Sequence, residues 1–282
     1  TTLDLQGKRA LVRVDFNVPL DDAQNVTDDT RIQRAIPTIE ALLERGASVV
    51  LMSHLGRPKA PCAELSLVHV VPVLSELLCK PVKFAEACVG DVALNVTQSL
   101  NPGDIALLEN LRFHKEETAG DEFFAGQLAE NGDVYINDAF GTAHRAHAST
   151  AIIAKFFPED KAFGLLMQSE VEALNQVLAT PAKPLLAIIG GAKVSSKLSI
   201  LENLLGRVDK LIVGGGMAYT FVKAQGGKIG NSLVEDDMMD KAREILDKAN
   251  AEGTEFLLPE DTLCADKFAP DAQSHVVATQ DI

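Results

Sequence analysis

Short apolar, β-branched runs recur along this chain and alternate with stretches of helical periodicity. The earlier runs are Ala10 to Phe16, Ser48 to Met52, Asp104 to Leu108 and Asp133 to Asn137. The later ones are Leu185 to Ile189, Leu211 to Val213, Glu255 to Leu258 and His275 to Ala278. Several are apolar without alternation, which is the pattern of strands covered on both faces in parallel sheets. Between them, residues 31–45 place Ile32, Ile36, Ile39 and Leu43 on one helical face, with Thr30 expected as N-cap and Gly46 as the stop. Pro37 falls inside this pattern and is expected to kink it or to sit in a first turn. Residues 236–252 repeat the plan: Asp236 and Asp237 at the positive end, Ala242, Ile245, Leu246 and Ala249 as the stripe, Gly253 as the stop.

Alternating strands and helices make βαβ units with right-handed crossovers. The expected fold is therefore α/β, with two doubly wound, mainly parallel-sheet, three-layer domains of Rossmann-like type and ligand loops at the C-terminal ends of the strands. The stripe Met167, Val171, Leu174, Leu178, followed by Pro181 and Pro184, marks the expected boundary. It gives a first domain over 1–164, a connecting helix and hinge over 165–184, and a second domain over 185–282. The second part stops just past a strand, with no helix after it, so that domain is expected to be incomplete in this chain.

A length of 282 residues fits about two domains. No apolar run approaches the roughly 20 residues that span a bilayer. The start shows no charged segment leading into an apolar one, so no signal peptide is expected and a cytoplasmic place is. Cys62, Cys79, Cys88 and Cys264 form no C-x-x-C pair and no His cluster completes a zinc pattern, which favours free thiols in a reducing compartment and no metal site. A formal charge of −14, no Trp and only 5% aromatics argue against nucleic acid and anionic membranes as partners.

Against that acidic background the cations are concentrated in loops. Eight of the ten arginines lie within the first 145 residues. Arg13-Val14-Asp15-Phe16-Asn17-Val18-Pro19 closes one strand with an Asp-x-Asn, which is either turn chemistry or a pair for binding a hydroxyl. Ser53-His54-Leu55-Gly56-Arg57-Pro58 follows another strand. Its Gly permits close backbone approach and its Arg presents a fork suited to phosphate or carboxylate. Leu108-Glu109-Asn110-Leu111-Arg112-Phe113 and Asp138-Ala139-Phe140-Gly141-Thr142-Ala143-His144-Arg145 follow two more. Arg31 opposes the macrodipole at its helix start and needs an anion nearby or open solvent. Further on, Gly190-Gly191-Ala192-Lys193-Val194-Ser195-Ser196-Lys197 and Gly214-Gly215-Gly216-Met217 each follow a strand and expose backbone N–H groups. Lys193 and Lys197 share a face if that segment is helical. Two cationic loop sites suit two anionic substrates held on separate domains and joined by closure.

Taken together and in this order, those six motifs closely resemble the phosphoglycerate kinase family, from the first strand to residue 282. The resemblance implies a cytoplasmic, monomeric, glycolytic kinase that moves a phosphoryl group between 1,3-bisphosphoglycerate and ADP, giving 3-phosphoglycerate and ATP, with magnesium carried on the nucleotide. It implies that Asp15 and Asn17 bind the hydroxyl and carboxyl end of the phosphoglycerate, with Phe16, Leu55 and Gly56 in the same site. His54, Arg57, Arg112 and Arg145 take its phosphate. Arg31 and Lys193 stabilise the group in transfer. Lys193, Lys197, Gly191, Gly214 and Gly215 line the nucleotide side. The family continues beyond the point that matches Ile282, and the protein ligand for magnesium is expected there. The alternative is a truncated, inactive form that only binds 3-phosphoglycerate.

Overall fold

The computed structural model describes residues 3–282 except Thr180, Phe268 and the side chain of Leu178. The expected place of Leu178 in the helical stripe, and Thr180 of the connecting segment, therefore lie outside the described residues. The chain divides into two compact units, Thr1–Leu174 and Asn175–Ile282.

The first unit contains β1 (Arg9–Arg13), α1 (Thr30–Glu44), β2 (Ser48–Met52), α2 (Val71–Leu77), β3 (Val82–Ala85), α3 (Gly90–Thr97), β4 (Ile105–Leu108), α4 (Lys115–Ala119), α5 (Glu122–Ala129), β5 (Val134–Asn137) and β6 (Lys161–Phe163). Its six strands form one parallel sheet in the order β3-β4-β2-β1-β5-β6. Successive residues of each strand feed opposite faces. Val12, Val49, Leu51 and Leu107 pack with Ile32 and Ile39 of α1 on one side. Leu11, Val50, Met52 and Leu108 pack with Ala93 of α3 and Phe124 and Leu128 of α5 on the other. This double coverage explains the uninterrupted apolar runs. The edge strands β3 and β6 escaped the sequence reading because each is short and only partly apolar.

Helix α1 differs from expectation in its cap and in its buried face. Asp29, not Thr30, occupies the N-cap, and its side chain makes no capping bond. The buried face is Ile32, Ala35, Thr38, Ile39 and Leu42, with Ile36 and Leu43 only partly buried at its margin. Pro37 lies in the helix interior rather than in the first turn, and the helix runs on to Glu44.

Helix α6 (Leu165–Ala179) crosses from the first unit into the second. Met167 is buried, whereas Leu174 is exposed, so the stripe is not a continuous buried face. The second unit contains β7 (Leu186–Gly190), α7 (Leu198–Leu204), β8 (Lys210–Gly214), α8 (Gly216–Ala224), α9 (Met239–Ala251), β9 (Glu255–Leu257), β10 (Asp261–Ala265) and β11 (Ser274–Ala278). Strands β7, β8 and β9 make a parallel sheet, with Gly190 in register with Gly214. One face packs Leu211, Val213, Leu201, Phe221 and Ile245 into a core. On the other, Leu186 is 48% and Ile188 68% exposed, so β7 is not buried on both faces as expected. Ser274–Ala278 is not a strand of the parallel sheet: it pairs antiparallel with β10, an unforeseen strand, in a separate two-stranded ribbon. Asp236–Met238 forms a tight 3-10 turn before α9, and Gly253 (φ +74°) follows the helix. Among the described residues, no helix is long and apolar enough to cross a membrane.

Candidate functional site

Parallel pairing of β1 with β2 and β5, and of β2 with β4, puts the four polar loops of the first unit at one edge of the sheet. Asp15 accepts from Arg31 Nη1 at 3.1 Å and from the Asn17 backbone N–H at 3.3 Å. That carboxylate is the anion the helix-start Arg31 required. Asn17 Oδ1 accepts from the Gly56 N–H at 2.7 Å. Arg112 Nη1 donates to the Gly56 carbonyl at 3.0 Å. Gly56 has φ +61°, and a Cβ there would lie 2.9 Å from Leu65 Cδ2, so the turn requires glycine. Asn110 fixes the loops below: its Oδ1 accepts from the N–H groups of Leu55 and Arg112, and its Nδ2 donates to the carbonyls of Leu55 and Leu65.

Phe16 and Leu55, expected in the substrate site, are core residues here. Both side chains are buried in the main cluster. Their N–H groups are already bonded, to Ser53 Oγ and to Asn110 Oδ1. They hold the loops in place, and neither lines the cleft formed by Arg57, Arg112 and Arg145.

Arg57, Arg112 and Arg145 line one open cleft of about 790 Å³, together with Lys59, His114 and Lys115. Glu116 is the one carboxylate on its wall. Partial burial, with Arg13, Arg145 and Arg57 nearby, holds Arg112 below the usual guanidinium range despite the opposing pull of Glu117. Like charges crowded in this way favour an incoming anion that relieves their repulsion.

His54 is nearly sealed and pushed down to about 2, first by burial and then by Arg13, Arg112, Arg31 and His147. It is neutral at ordinary pH. Its Nδ1 approach to Asp15 Oδ1 at 3.9 Å is therefore not an ion pair. His144 and His147 do not form a metal pair. His144 Nε2 accepts from Arg145 Nε at 3.1 Å, whereas His147 is buried with Nδ1 3.8 Å from Glu117 Oε1.

In the second unit, the Gly190–Gly214 register brings the two glycine turns side by side. Gly215 (φ +70°) sits so close that a Cβ would lie 2.9 Å from the Gly191 carbonyl oxygen, which itself accepts from Met217 N–H at 2.9 Å. Backbone therefore meets backbone there, and only glycine fits. Lys193 and Lys197 do not share a helical face: helix α7 begins only at Leu198, and residues 191–197 form loop and turn. The lysines are held by different means. Lys197 N–H donates to Val194 O at 2.9 Å, and its side chain passes near Gly191. The loop itself is tied by Ser195, whose N–H and Oγ donate to Glu235 at 3.0 and 2.6 Å. Desolvation raises Glu235, but those two bonds and the charge of Lys193 outweigh it and leave the carboxyl below its usual range. Among the described residues, no three His, Cys, Asp or Glu side chains converge to hold a metal ion. The four cysteines are free.

Arg13, Ser53, Asn110, Glu117 and Ser149 were not singled out from sequence, yet they carry the hydrogen bonds beneath the arginine site. Asn110, the polar residue two positions past β4, had a signal in its place at a strand end. Glu117, in a Lys-Glu-Glu-Thr run, had none.

An open α/β sheet that carries an arginine cleft at its strand ends, followed by a second sheet with paired glycine turns, defines a class of α/β protein whose strand-end loops suit anionic ligands. A sequence model described as phosphoglycerate kinase matches residues 1–282, and the chain belongs to that family of glycolytic phosphotransferases. It is 53% identical to phosphoglycerate kinase of Chloroherpeton thalassium, over 98% of this chain and 69% of that protein. It is 52% identical to chloroplastic phosphoglycerate kinase 1 of Arabidopsis thaliana, over 100% of this chain and 58% of that protein. The structure of phosphoglycerate kinase from Coxiella burnetii superimposes with a TM-score of 0.80 at 42% identity, covering 99% of this chain and 70% of that one. Similar relatives include both chloroplastic and cytosolic proteins, so family membership does not fix the compartment.

Proposed function

We propose that residues 1–164 hold the phosphoglycerate and residues 185–282 contribute to the nucleotide site, with 165–184 as the connecting hinge, in a kinase acting between 1,3-bisphosphoglycerate and ADP. The observation that carries this reading is the convergence of Arg57, Arg112 and Arg145 on one cleft. These guanidiniums take the substrate phosphate. Asp15 and Asn17 take its hydroxyl and carboxyl end, because a carboxylate such as Asp15 accepts from a hydroxyl and repels a phosphate. Neutral His54 adds a hydrogen bond, and Gly56 keeps the backbone out of the way.

The attacking group is an ADP phosphate oxygen in one direction and a carboxylate in the other. Both are already ionised, so no general base is needed. Catalysis then rests on in-line positioning and on neutralising charge on the transferring group. Arg31 and Lys193 serve that purpose, with Gly191, Gly214, Gly215 and Lys197 lining the nucleotide. Magnesium is carried with the nucleotide phosphates.

A coupled assay with ADP and 1,3-bisphosphoglycerate tests the reading, together with calorimetric titration of 3-phosphoglycerate. Binding and turnover are expected, and failure to bind phosphoglycerate refutes it. A second reading is binding of 3-phosphoglycerate without turnover. Phosphoglycerate binding with no detectable ADP binding selects that one.

A further inference from the structure

Arg13 is 1% exposed and lies beneath the arginine cleft rather than in it. Each of its three guanidinium nitrogens has a partner. Nε donates to Ser149 Oγ at 2.9 Å, Nη1 donates to the Val14 carbonyl, and Nη2 meets His54 Nδ1 at 3.1 Å. Ser149 Oγ in turn donates to Glu117 Oε1 at 2.6 Å, and the Ser149 N–H donates to Glu117 Oε2 at 2.9 Å. Glu117 is fully buried. One serine hydroxyl thus stands between a buried cation and a buried anion. It accepts from the first and donates to the second, which fixes its rotamer and aims the guanidinium.

A guanidinium has donors and no acceptor. Where Arg13 Nη2 meets His54 Nδ1, the imidazole nitrogen must accept, and the ring proton of a neutral His54 must sit on Nε2. Asp15 competes for the same atom. Its Oδ1 lies 3.9 Å from Nδ1 and favours a proton there, but the Arg13 contact is shorter and within hydrogen-bond range. Arg31, Arg112 and His147 are the other ionisable groups that act on the ring, and all disfavour a second proton. Among the described residues, the sealed unpaired side-chain polar atoms are Asp138 Oδ2 and His147 Nδ1. Nε2 of His54 has no protein partner and is not one of them, so it keeps contact with solvent.

We propose that Arg13, held by Ser149 and Glu117, is a positioning residue that locks His54 in the Nε2–H tautomer, so that a donor and not a lone pair faces the phosphoglycerate anion. The role toward the anion rests on the function proposed above; the tautomer itself does not. Reversing the tautomer aims a lone pair at an anion, which replaces an attraction by a repulsion. Deleting Arg13 leaves Asp15 alone at Nδ1 and should move the proton to that side of the ring.

The test is long-range proton–nitrogen NMR of the histidine rings in the full chain, with His54→Gln used to assign the His54 signals among six histidines. The wild-type protein is expected to show neutral His54 protonated at Nε2, without titration between about pH 5 and 8, because its pKa is pushed to about 2. In Arg13→Met the proton is expected on Nδ1, with titration moved up toward the ordinary histidine range and 3-phosphoglycerate binding weakened about tenfold. Ser149→Ala, which frees the guanidinium from its anchor, is expected to give a mixture of the two tautomers. An Nδ1–H or doubly protonated His54 in the wild type overturns the proposal, and this needs no variant to fold. An unchanged Nε2–H signal in Arg13→Met also overturns it, and an unchanged signal in Ser149→Ala removes Ser149 and Glu117 from it. The expected spectra with no phosphoglycerate binding leave the tautomer lock standing and refute the functional reading instead.

Discussion

Strands β2 and β7 are both short and apolar and read alike in sequence, yet they live in different surroundings. Ser48–Met52 is buried at every position, whereas Leu186–Gly190 alternates between exposed and half-buried. The first lies in a six-stranded sheet with helices packed on both faces. The second lies in a three-stranded sheet with one face open, in a chain that spans 58–71% of the length of several of its relatives. Apolar character thus specifies the strand, while burial depends on whether another layer is there to cover it.

The sharpest way to break this comparison is a matched pair of truncations. Leu51→Ala is expected to destabilise the first unit by about 3 kcal/mol, as for deletion of buried aliphatic groups. Ile188→Ala, at an exposed position, should change stability by less than about 0.5 kcal/mol. Urea unfolding of each variant checks both, and equal effects would show that β7 is covered in solution.

The glycine turns supply the next largest effect. Gly215→Ala places a Cβ against the Gly191 carbonyl at a positive φ, and should cost about 2 kcal/mol. Denaturant unfolding of the second unit reads this directly. A stability within error of wild type would mean that the backbone can move apart there.

Arg112→Ala tests whether the two units bind separately. It should weaken 3-phosphoglycerate about thirtyfold, corresponding to loss of a charged hydrogen bond worth about 2 kcal/mol. ADP binding should be unaffected. Calorimetric titrations with each ligand decide it, and a parallel loss of both affinities would contradict the separation.

The smallest effect is in the pH dependence. His54 is pushed well below its usual range in the folded protein, so below about pH 6.5 the unfolded chain binds a proton that the folded chain does not. Stability is therefore lost as pH falls. The His54 share is about 1.6 kcal/mol between roughly pH 6.5 and 5. His54→Gln should remove that share of the slope, measured by unfolding at each pH. An unchanged slope would show that His54 does not stay neutral in the folded state.

Much of this was legible in advance. The motifs at Asp15, His54, Arg57, Arg112 and Arg145 could be read because charged and polar residues directly after apolar strands mark ligand-loop candidates, although His54 is itself buried. The glycine pairs were readable for a related reason, since strand-end glycines mark close backbone approach. Whether Lys193 and Lys197 share a helical face depends on where the helix starts, which a four-residue spacing does not say. Here Ser195 and Glu235 tie the segment into a turn. Phe16 and Leu55 sit inside the same motifs, but their side chains face inward into the core.

Sequence alone determined the class of fold, the central strands of the first sheet, the family and the loops that carry charge. These follow from local periodicity and from residue types that suit only a few backbone environments. Tertiary structure decided which strands are covered, how Arg31 finds Asp15, and that Arg13, Ser149 and Glu117 form a buried relay under His54. The relay joins residues 13, 54, 117 and 149, far apart along the chain and all drawn to one edge by parallel pairing. No local pattern marks Glu117 as buried, because the burial of a charge is set by what packs around it and not by its neighbours in sequence.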